Sequence, residues 1–169
     1  MRKADRIDII VSFLMESGVK MLLEELKKAM KRGAKVRILT GNYLGVTQPS
    51  ALYLIKHELG ELVDLRFYNE KNRSFHPKSY IFHYADHSEI YIGSSNISRS
   101  ALTSGIEWNY RFSSHRDPEN YEKFYRTFED LFQNHSVVID DKELKRYSKT
   151  WHRPAASKDL DRYDNVEEA

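Results

Sequence analysis

The stretch between residues 74 and 109 constrains the fold of this chain more than any other. Two apolar, aromatic-rich runs, residues 80–84 and 90–92, flank a polar tip at residues 85–88. Apolar runs of this length on either side of a short polar segment are typical of a β-hairpin. We therefore predict a hairpin here, with the other elements arranged around it.

The predicted pairing gathers polar side chains at the open end of the hairpin. With the turn centred near Asp86, Lys78 faces Ser94 and His76 faces Asn96. His76 and Lys78 are two residues apart, so they point to the same side of their strand. An imidazole, an ammonium, a hydroxyl and a carboxamide on one patch are suited to binding and attacking a phosphate.

The remainder of the chain has the pattern of an α/β scaffold. Near the N-terminus a β-branched run, an amphipathic segment and a second β-branched run predict a right-handed βαβ unit with two parallel strands. The predicted strands are residues 7–13, 34–39, 63–68, 80–84, 90–92 and 107–112, and the predicted helices begin near Ser17, Pro49, Asp117 and Asp140. We expect one domain over residues 1–152 and a polar linker or tail over residues 153–169.

The composition excludes several classes of protein. The 169 residues include no cysteine, which excludes disulfides, thiol nucleophiles and cysteine-ligated metals. Lysine and arginine number 27 against 25 acidic residues, so the net charge of +2 does not by itself predict a polyanionic partner. No window approaches the roughly 18 apolar residues of a membrane span, and no secretory signal is visible. We expect a soluble cytoplasmic protein with no cofactor and no membrane contact.

The order His-x-Lys, then Gly-Ser-x-Asn, then a later Glu resembles the phospholipase D superfamily. The matching residues are His76, Lys78, residues 93–96 and Glu107. Residues 11–14 with Gly18, 37–41 and 48–52 are similar to the phospholipase D-like domain at the N-terminus of certain DEAD/DEAH-box helicases. The resemblance covers about residues 4–152. It implies an α/β, phospholipase D-like fold: a mixed, mostly parallel central sheet flanked by helices on both faces.

The resemblance also implies roles for the matching residues. His76 is the nucleophile that forms a covalent phosphohistidine, and Lys78 and Asn96 bind the phosphate with help from Ser94. Glu107 holds the far ring nitrogen of His76, so that the attacking nitrogen is unprotonated and correctly aimed. The alternative for Glu107 is an ion pair with one of two arginines, Arg66 or Arg111.

Neighbouring residues are candidates for contacts with the rest of a substrate. This second group is Ser95, Arg99, Lys71 and Arg73. Loop cations are also commonly just solvated, so that alternative stays open. Residues 40–48 form a glycine-bearing loop after a predicted strand, and the sequence leaves open whether it contacts substrate or only connects two elements.

One position departs from the superfamily pattern. The superfamily usually places an aspartate five residues after the lysine, where this chain has His83. Asp86 is either a displaced substitute or a turn residue, and His83 and His87 are most simply exposed hairpin residues. A metal site from His76, His83 and His87 is disfavoured, because strand alternation sends His76 and His83 to opposite faces.

The expected function follows from the resemblance. The two-step reaction needs a second histidine to protonate the leaving oxygen, and one His-x-Lys occurs here, so the second comes from another copy in a homodimer sharing one active site. We expect a metal-independent phosphodiesterase acting on nucleic acid, as a DNA endonuclease domain, and the helicase resemblance raises a fused helicase domain as a partner. The alternative is a non-catalytic nucleic-acid-binding or dimerisation module of a helicase. Phospholipid chemistry is a less favoured third possibility, because no basic amphipathic helix is apparent.

Overall fold

A computed structural model of the chain describes residues 3–70 and 72–155. The strands are β1 (Arg6–Val11), β2 (Lys35–Thr40), β3 (Val63–Tyr68), β4 (Lys78–His83), β5 (Ser88–Gly93), β6 (Asn109–Ser113) and β7 (Ser136–Val138). The helices are α1 (Glu16–Lys31), α2 (Pro49–Leu59), α3 (Arg99–Leu102), α4 (Pro118–Asn134) and α5 (Asp141–Thr150). Within the described ranges, seven strands form one sheet in the order β6-β5-β4-β1-β2-β3-β7.

The sheet has a parallel half and an antiparallel half that meet at β1. β1 pairs in parallel with β2, and β2 with β3, as the predicted βαβ pattern requires. The remaining neighbours, β1–β4, β4–β5, β5–β6 and β3–β7, pair antiparallel. The predicted α/β fold with a mixed sheet and helices on both faces is confirmed. The expectation that the sheet is mostly parallel is not met. In the described residues most strand pairs are antiparallel, because β4, β5, β6 and β7 all pair antiparallel with their neighbours.

Successive residues of β1 serve two cores, one on each face of the sheet. Ile7 and Ile9 are buried with α1 and α2, whereas Ile10 is buried with Phe128 and Phe132 of α4. The α1 side chains that complete the first core recur at helical spacing and include Val19, Leu23 and Leu26. None of the helices within residues 3–70 and 72–155 combines the length and the apolar character that crossing a membrane requires.

The hairpin forms where the sequence predicts it, with a register shifted by one residue. His83 pairs with Ser88, and the residues between them form the loop. Extending this register places Lys78 opposite Gly93 rather than Ser94, because the turn is centred half a residue before the expected position. The shift is small, but it changes which neighbour of Lys78 lies directly across the hairpin.

β7 is an element that the sequence pattern does not predict. It follows closely after α4 and pairs antiparallel with β3, with Val137 opposite Phe67. Three residues are too few to show a strand periodicity. The chain then passes through α5. Most of the predicted tail at residues 153–169 lies outside the described residues, so that boundary stays a prediction.

Candidate active site

The predicted catalytic residues gather at one edge of the sheet, where β1 ends and β4 begins. Val11 lies opposite Lys78 in the antiparallel pairing of these strands, so Ser12 reaches the same edge. His76 lies two residues before β4 and is exposed, whereas Lys78 is only 8% exposed. A largely buried ammonium beside an exposed imidazole is therefore the centre of the candidate site.

Lys78 directs its donors at the residues of this edge. Its Nζ donates to Ser12 Oγ at 3.0 Å and to the carbonyl oxygen of His76 at 3.1 Å. Nζ also lies 3.0 Å from Nδ1 and 3.1 Å from Nε2 of the His76 ring. An ammonium group can only donate, so the ring nitrogen that accepts from it carries no proton. The contact therefore favours the neutral imidazole.

The surroundings of the site shift two pKa values downward. Burial lowers the pKa of Lys78, and the negative charge of Glu107 partly offsets this effect. Partial desolvation of the exposed ring also lowers the pKa of His76 below 6.5, and the positive charge of Lys78 adds to the shift. Both effects favour the unprotonated imidazole, which is its nucleophilic form.

Asn96 and Ser12 fix the backbone around Lys78. Asn96 is buried, and its Oδ1 accepts hydrogen bonds from the backbone N–H groups of Ser12 at 3.0 Å and Phe13 at 3.3 Å. Ser12 Oγ donates to the carbonyl oxygen of Pro77 at 3.2 Å. The amino end of the Asn96 carboxamide is the part that can donate to a substrate oxygen. Ser12 is a site residue that the sequence reasoning missed, although its place at the carboxyl end of a buried strand points to this edge.

Ser94 and Glu107 form a second polar pair at the site. The Ser94 hydroxyl donates to the Glu107 carboxylate, and the backbone N–H of Trp108 donates to Ser94 Oγ at 3.0 Å. The charge of Glu107 acts on Lys78 by opposing the fall of the lysine pKa. The arginines considered as alternative partners for Glu107 pair with other acids, as Arg66–Asp64 and Arg111–Glu89. The role of Glu107 toward the His76 ring stays a prediction.

Two glycines allow close approach around this edge. A Cβ atom on Gly93 would lie 1.9 Å from the carbonyl oxygen of Trp108, so only glycine lets the segment before β6 pack there. A Cβ atom on Gly41 would lie 2.5 Å from Cδ1 of Phe75, whose ring stacks on a tyrosine of β3. Because Phe75 is packed between Gly41 and β3, it fixes the position of the next residue, His76.

The predicted substrate-contacting residues are less closely gathered. Ser95 is buried, and its hydroxyl accepts a hydrogen bond of 2.8 Å from the side-chain amide at the start of β6. Arg99 is exposed at the start of α3, and Arg73 is exposed in the loop three residues before His76. Lys71 lies outside the described residues. Arg73 is therefore the member of this group nearest in sequence to the imidazole. Ser95 instead contacts the start of β6.

The loop of residues 40–48 is held by contacts typical of a structural connection. Thr47 Oγ1 donates to the carbonyl oxygen of Gly41 at 2.5 Å, and Tyr147 OH donates to the carbonyl oxygen of Thr47 at 2.7 Å. Trp151 Nε1 donates to the carbonyl oxygen of Gly45 at 2.7 Å. The loop is thus packed against α5 and the segment after it.

A cavity of about 330 Å³ opens beside the His–Lys pair. Its polar wall includes His76 and Lys78, and its apolar wall includes Phe124 and Phe128 of α4. The volume is within the range of small ligand pockets. The cavity therefore leaves room for a small ligand next to the imidazole.

His83, at the other end of β4, belongs to a buried ionic network, so the expectation that it is an exposed hairpin residue is wrong. Its Nε2 lies 2.7 Å from Oδ2 of Asp8, which is completely buried. Arg37 donates to both carboxylate oxygens of Asp8, at 2.7 and 2.8 Å, and also pairs with Glu129 of α4. Burial alone would raise the pKa of Asp8, but hydrogen bonds from Arg37 and His83 lower it below 3.8.

The hairpin tip carries the other two candidates from the sequence. Asp86 is exposed, and its carboxylate lies 2.7 Å from Nδ1 of His87. Asp86 lies in the loop beyond the end of β4 and pairs with its neighbour His87, so it acts as a turn residue. In the part of the chain that the structure describes, no group of three or more His, Asp or Glu side chains could hold a metal ion.

Residues 1–135 match the protein family described as "Cardiolipin synthase, PLD-like domain". No curated protein sequence is significantly similar to the chain. The fold is similar to polyphosphate kinase from Porphyromonas gingivalis, with a TM-score of 0.64, and to phosphatidylserine synthase from Haemophilus influenzae Rd KW20, with a TM-score of 0.56.

These structural similarities establish the fold alone, because the identity is 14% in both cases. Each covers 95% of this chain but only 23% of the polyphosphate kinase chain and 39% of the phosphatidylserine synthase chain. The archaeal chromatin protein TrmBL2, described as having a novel mode of DNA binding, is similar over 79% of this chain and 45% of its own. Its identity is 19% and its TM-score of 0.47 is too low to support a conclusion.

Proposed function

Because the chain belongs to the phospholipase D-like domain family, we propose that it is a metal-independent phosphodiesterase acting on nucleic acid, as a DNA endonuclease domain. The observation that carries the proposal is the contact between Lys78 Nζ and the His76 ring at the wall of a cavity. The family indicates chemistry at phosphate esters, and this contact supplies a nucleophile beside a phosphate-binding cation.

In the first step the substrate phosphate takes over Lys78 from the imidazole. The ammonium donates to a non-bridging oxygen, and the ring nitrogen of His76 that had accepted from it regains a free lone pair. That lone pair attacks phosphorus, a P–N bond forms, and the P–O bond to the leaving group breaks. The Asn96 amino group and the Ser94 hydroxyl assist Lys78 in stabilising the negative charge that develops.

The leaving oxygen and the second step require another imidazole. The leaving oxygen takes a proton from the partner subunit's His76. Water then attacks the phosphohistidine, the P–N bond breaks, and the partner's His76 accepts the proton from the water. A two-fold homodimer with both copies of the site across one cleft provides the two groups. In this proposal Glu107 orients His76.

The substrate class rests on the resemblance to helicase-associated domains, and a fused helicase domain is part of the same proposal. The exposed cations Arg73 and Arg99 are proposed to bind phosphates on either side of the scissile one, together with Lys71. Because such contacts release counterions from the nucleic acid, binding is expected to weaken as the salt concentration rises.

A second candidate function follows from the description of the matching family, which names a cardiolipin synthase. The same phosphohistidine could transfer a phosphatidyl group to an alcohol instead of water, with the same roles for His76 and Lys78. A third candidate, a non-catalytic binding module, follows from the replacement of the superfamily aspartate by His83. Turnover of any diester would exclude the non-catalytic module. The diester that is turned over, nucleic acid or phospholipid, distinguishes the nuclease from the phosphatidyl transferase.

The proposal is tested with a chromogenic phosphodiester, single- and double-stranded DNA, RNA, and phosphatidylglycerol vesicles, in the presence of EDTA. Wild-type protein is expected to cleave the chromogenic diester and DNA, whereas His76→Ala loses turnover and keeps its fold. His87→Ala, which changes a partly exposed histidine at the hairpin tip, is the matched control and retains activity. Turnover by purified His76→Ala, or loss with EDTA that Mg²⁺ restores, would exclude the mechanism. Transfer on vesicles without nuclease activity would favour the second candidate.

A mixing experiment tests the shared site. After verified subunit exchange, excess His76→Ala protein is expected to suppress wild-type turnover, because each mixed dimer holds one His76 instead of two. Activity that follows only the wild-type fraction would contradict a site shared between subunits.

A further inference from the structure

Four large apolar side chains beside the candidate site are exposed to solvent. They lie on the segment before β6, on β6 itself and on α4, and we call them the aromatic patch. Their exposed fractions are Ile106 94%, Trp108 84%, Tyr110 69% and Phe124 45%. The apolar residues of α4 recur at helical spacing, which is typical of a core-facing helix face, yet Phe124 is exposed. Large apolar side chains exposed on neighbouring elements are characteristic of interaction sites.

Two members of the aromatic patch, Tyr110 and Phe124, connect it to the cavity of the candidate site. The Tyr110 ring stacks on Phe112 with centroids 5.8 Å apart, and Phe112 contacts Phe124 at the same centroid distance. Phe124 lines the cavity that also contains His76 and Lys78. A partner seated on the patch would therefore lie directly next to the imidazole.

We propose that the aromatic patch is the surface through which two copies of this chain associate, so that two His76 side chains face one phosphodiester. The inference rests on the proposed function, which leaves the site one histidine short in a single copy. An isologous contact uses the same surface on both subunits. A two-fold axis through a patch that borders the cavity brings the two cavities to face each other.

The chemistry of the patch favours a second copy over stacked nucleobases. Ile106, the most exposed of the four side chains, has no π-face on which a base could stack. The cations that flank Phe124 on α4 are already paired with acids, as Lys123–Glu119 and Arg126–Glu122. Exposed Trp, Tyr and Phe with few cations are typical of the buried centre of a protein–protein interface.

The area of the patch is adequate for the centre of such an interface. Large aromatic side chains bury about 150–250 Å² each, so the exposed parts of the three aromatic side chains, together with Ile106, offer roughly 500 Å² per copy. A specific interface buries about 600–1,000 Å² per partner. The patch thus supplies most of the lower value, and the polar residues around it supply the remainder as a rim.

The first test places charge in the patch. The double variant Trp108→Glu with Tyr110→Glu is compared with Leu62→Glu, which changes a residue of similar exposure before β3. We expect sedimentation to show a wild-type dimer, an unchanged dimer for Leu62→Glu, and a dissociation constant raised by about 100-fold or more for the double variant. Turnover should fall with the dimer fraction, while circular dichroism shows that the fold is kept.

The second test uses the absence of cysteine from the chain. Ile106→Cys introduces a single thiol in the patch, and Leu62→Cys introduces one away from it. A short bifunctional thiol reagent is expected to link Ile106→Cys protein into covalent dimers, and Leu62→Cys protein only at the rate of random collision. This test needs no disruption of the interface, so it decides the proposal even where the double variant fails to fold.

The outcomes separate the patch from the proposed function. A dimeric, active double variant, or equal cross-linking of both cysteine variants, would overturn the patch and leave the proposed function standing. A monomeric wild type would exclude the patch as a dimer interface. If that monomer is active, the active site shared between two subunits is excluded as well. A double variant that stays dimeric but loses DNA binding would assign the patch to nucleic acid instead. Monomeric, inactive patch variants beside a dimeric, active Leu62→Glu support the proposal.

Discussion

The two ends of β4 hold histidines in opposite electrostatic surroundings. At the start of the strand, exposed His76 contacts the ammonium of Lys78, and both groups have lowered pKa values. At the end, His83 contacts the buried carboxylate of Asp8, which Arg37 also holds. At the His83 end the basic groups pair with a carboxylate of the protein itself. At the His76 end two basic groups lie together, and an anionic substrate would supply the negative charge that pairs with them.

The ring contacts differ in the same way. Both ring nitrogens of His83 have partners within the protein, Asp8 at 2.7 Å and Ser88 Oγ at 3.0 Å, which fix the ring in place. The Lys78 contact to His76 can be exchanged for a phosphate oxygen without breaking any strand pairing. We therefore propose that one end of β4 contributes stability and the other carries the chemistry, and each role can be tested by substitution.

The largest effect is expected from Asp8→Ala. This change removes the carboxylate that pairs with two Arg37 nitrogens, while the guanidinium stays largely buried. Removing one partner of a buried ion pair costs about 3–5 kcal/mol of unfolding free energy. Asp86→Ala, at the exposed hairpin tip, is the matched control and should change little. Urea denaturation of both variants at pH 7 measures the difference. Equal stability of the two would show that the His83 end is not held by Asp8.

The same variant has a predicted pH signature. The pKa of Asp8 in the folded protein is below its usual 3.8, so the folded state binds fewer protons than the unfolded state. The stability that Asp8 contributes is therefore complete above that pH and is lost as the pH falls through the folded pKa. Wild-type protein should lose unfolding free energy in this acid window, and Asp8→Ala should lose less.

Lys78→Met tests the other end of the strand. The change removes a charged donor to the developing oxyanion, so kcat/KM should fall by about 100- to 1,000-fold. Unfolding free energy should hold or rise, because a largely buried charge is removed. Lys28→Met on the exposed side of α1 is the control. A fall in stability without a fall in turnover would reverse the assignment of the two ends.

His83→Asp restores the residue that the phospholipase D superfamily usually has at this position. We expect it to destabilise the fold by roughly 1–2 kcal/mol, because it places a second carboxylate beside Asp8. Turnover per folded molecule should not increase. His87→Asp, at the hairpin tip, controls for a general effect of added acid. A gain in turnover would show that the missing aspartate limits the chemistry.

The smallest effect is expected in the titration of His76. Its pKa lies below 6.5 because of burial and the charge of Lys78, so Lys78→Met should raise the pKa partway toward that value. Proton NMR of the imidazole signals measures the change, and the His83 signal in the same spectrum is the internal control. An unchanged His76 signal would mean that the Lys78 charge does not act on the ring in solution.

The sequence predicts local elements well because their signals are local. Pro118 after Asp117 predicts the start of α4, and the Asp117 side chain caps it by accepting from Asn120 N–H at 3.2 Å. The hairpin is likewise predicted from two apolar runs. Its register is missed by one residue, because a polar tip does not specify on which bond the turn is centred.

Contacts between distant segments are not visible in the sequence. Asp8 lies within a β-branched run, and nothing near it indicates that Arg37, His83 and Glu129 come together around its carboxylate. Ser12 is missed for the same reason, since its hydroxyl meets the Lys78 ammonium from 66 residues away. The predicted roles of His76, Lys78 and Asn96 come from a family pattern, which records such distant contacts where a single sequence does not.

The meeting of two half-sheets at β1 also bears on the order of folding. β4, β5 and β6 are consecutive along the chain, as are β1, β2 and β3, so each half can condense from nearby segments. Joining the halves through β1 and β4 closes a long loop, and closing long loops slows folding. The contacts of Ser12 with Lys78 and Asn96 span that junction. The candidate active site is therefore expected to assemble late, and partly folded chains should lack it even where both half-sheets have formed.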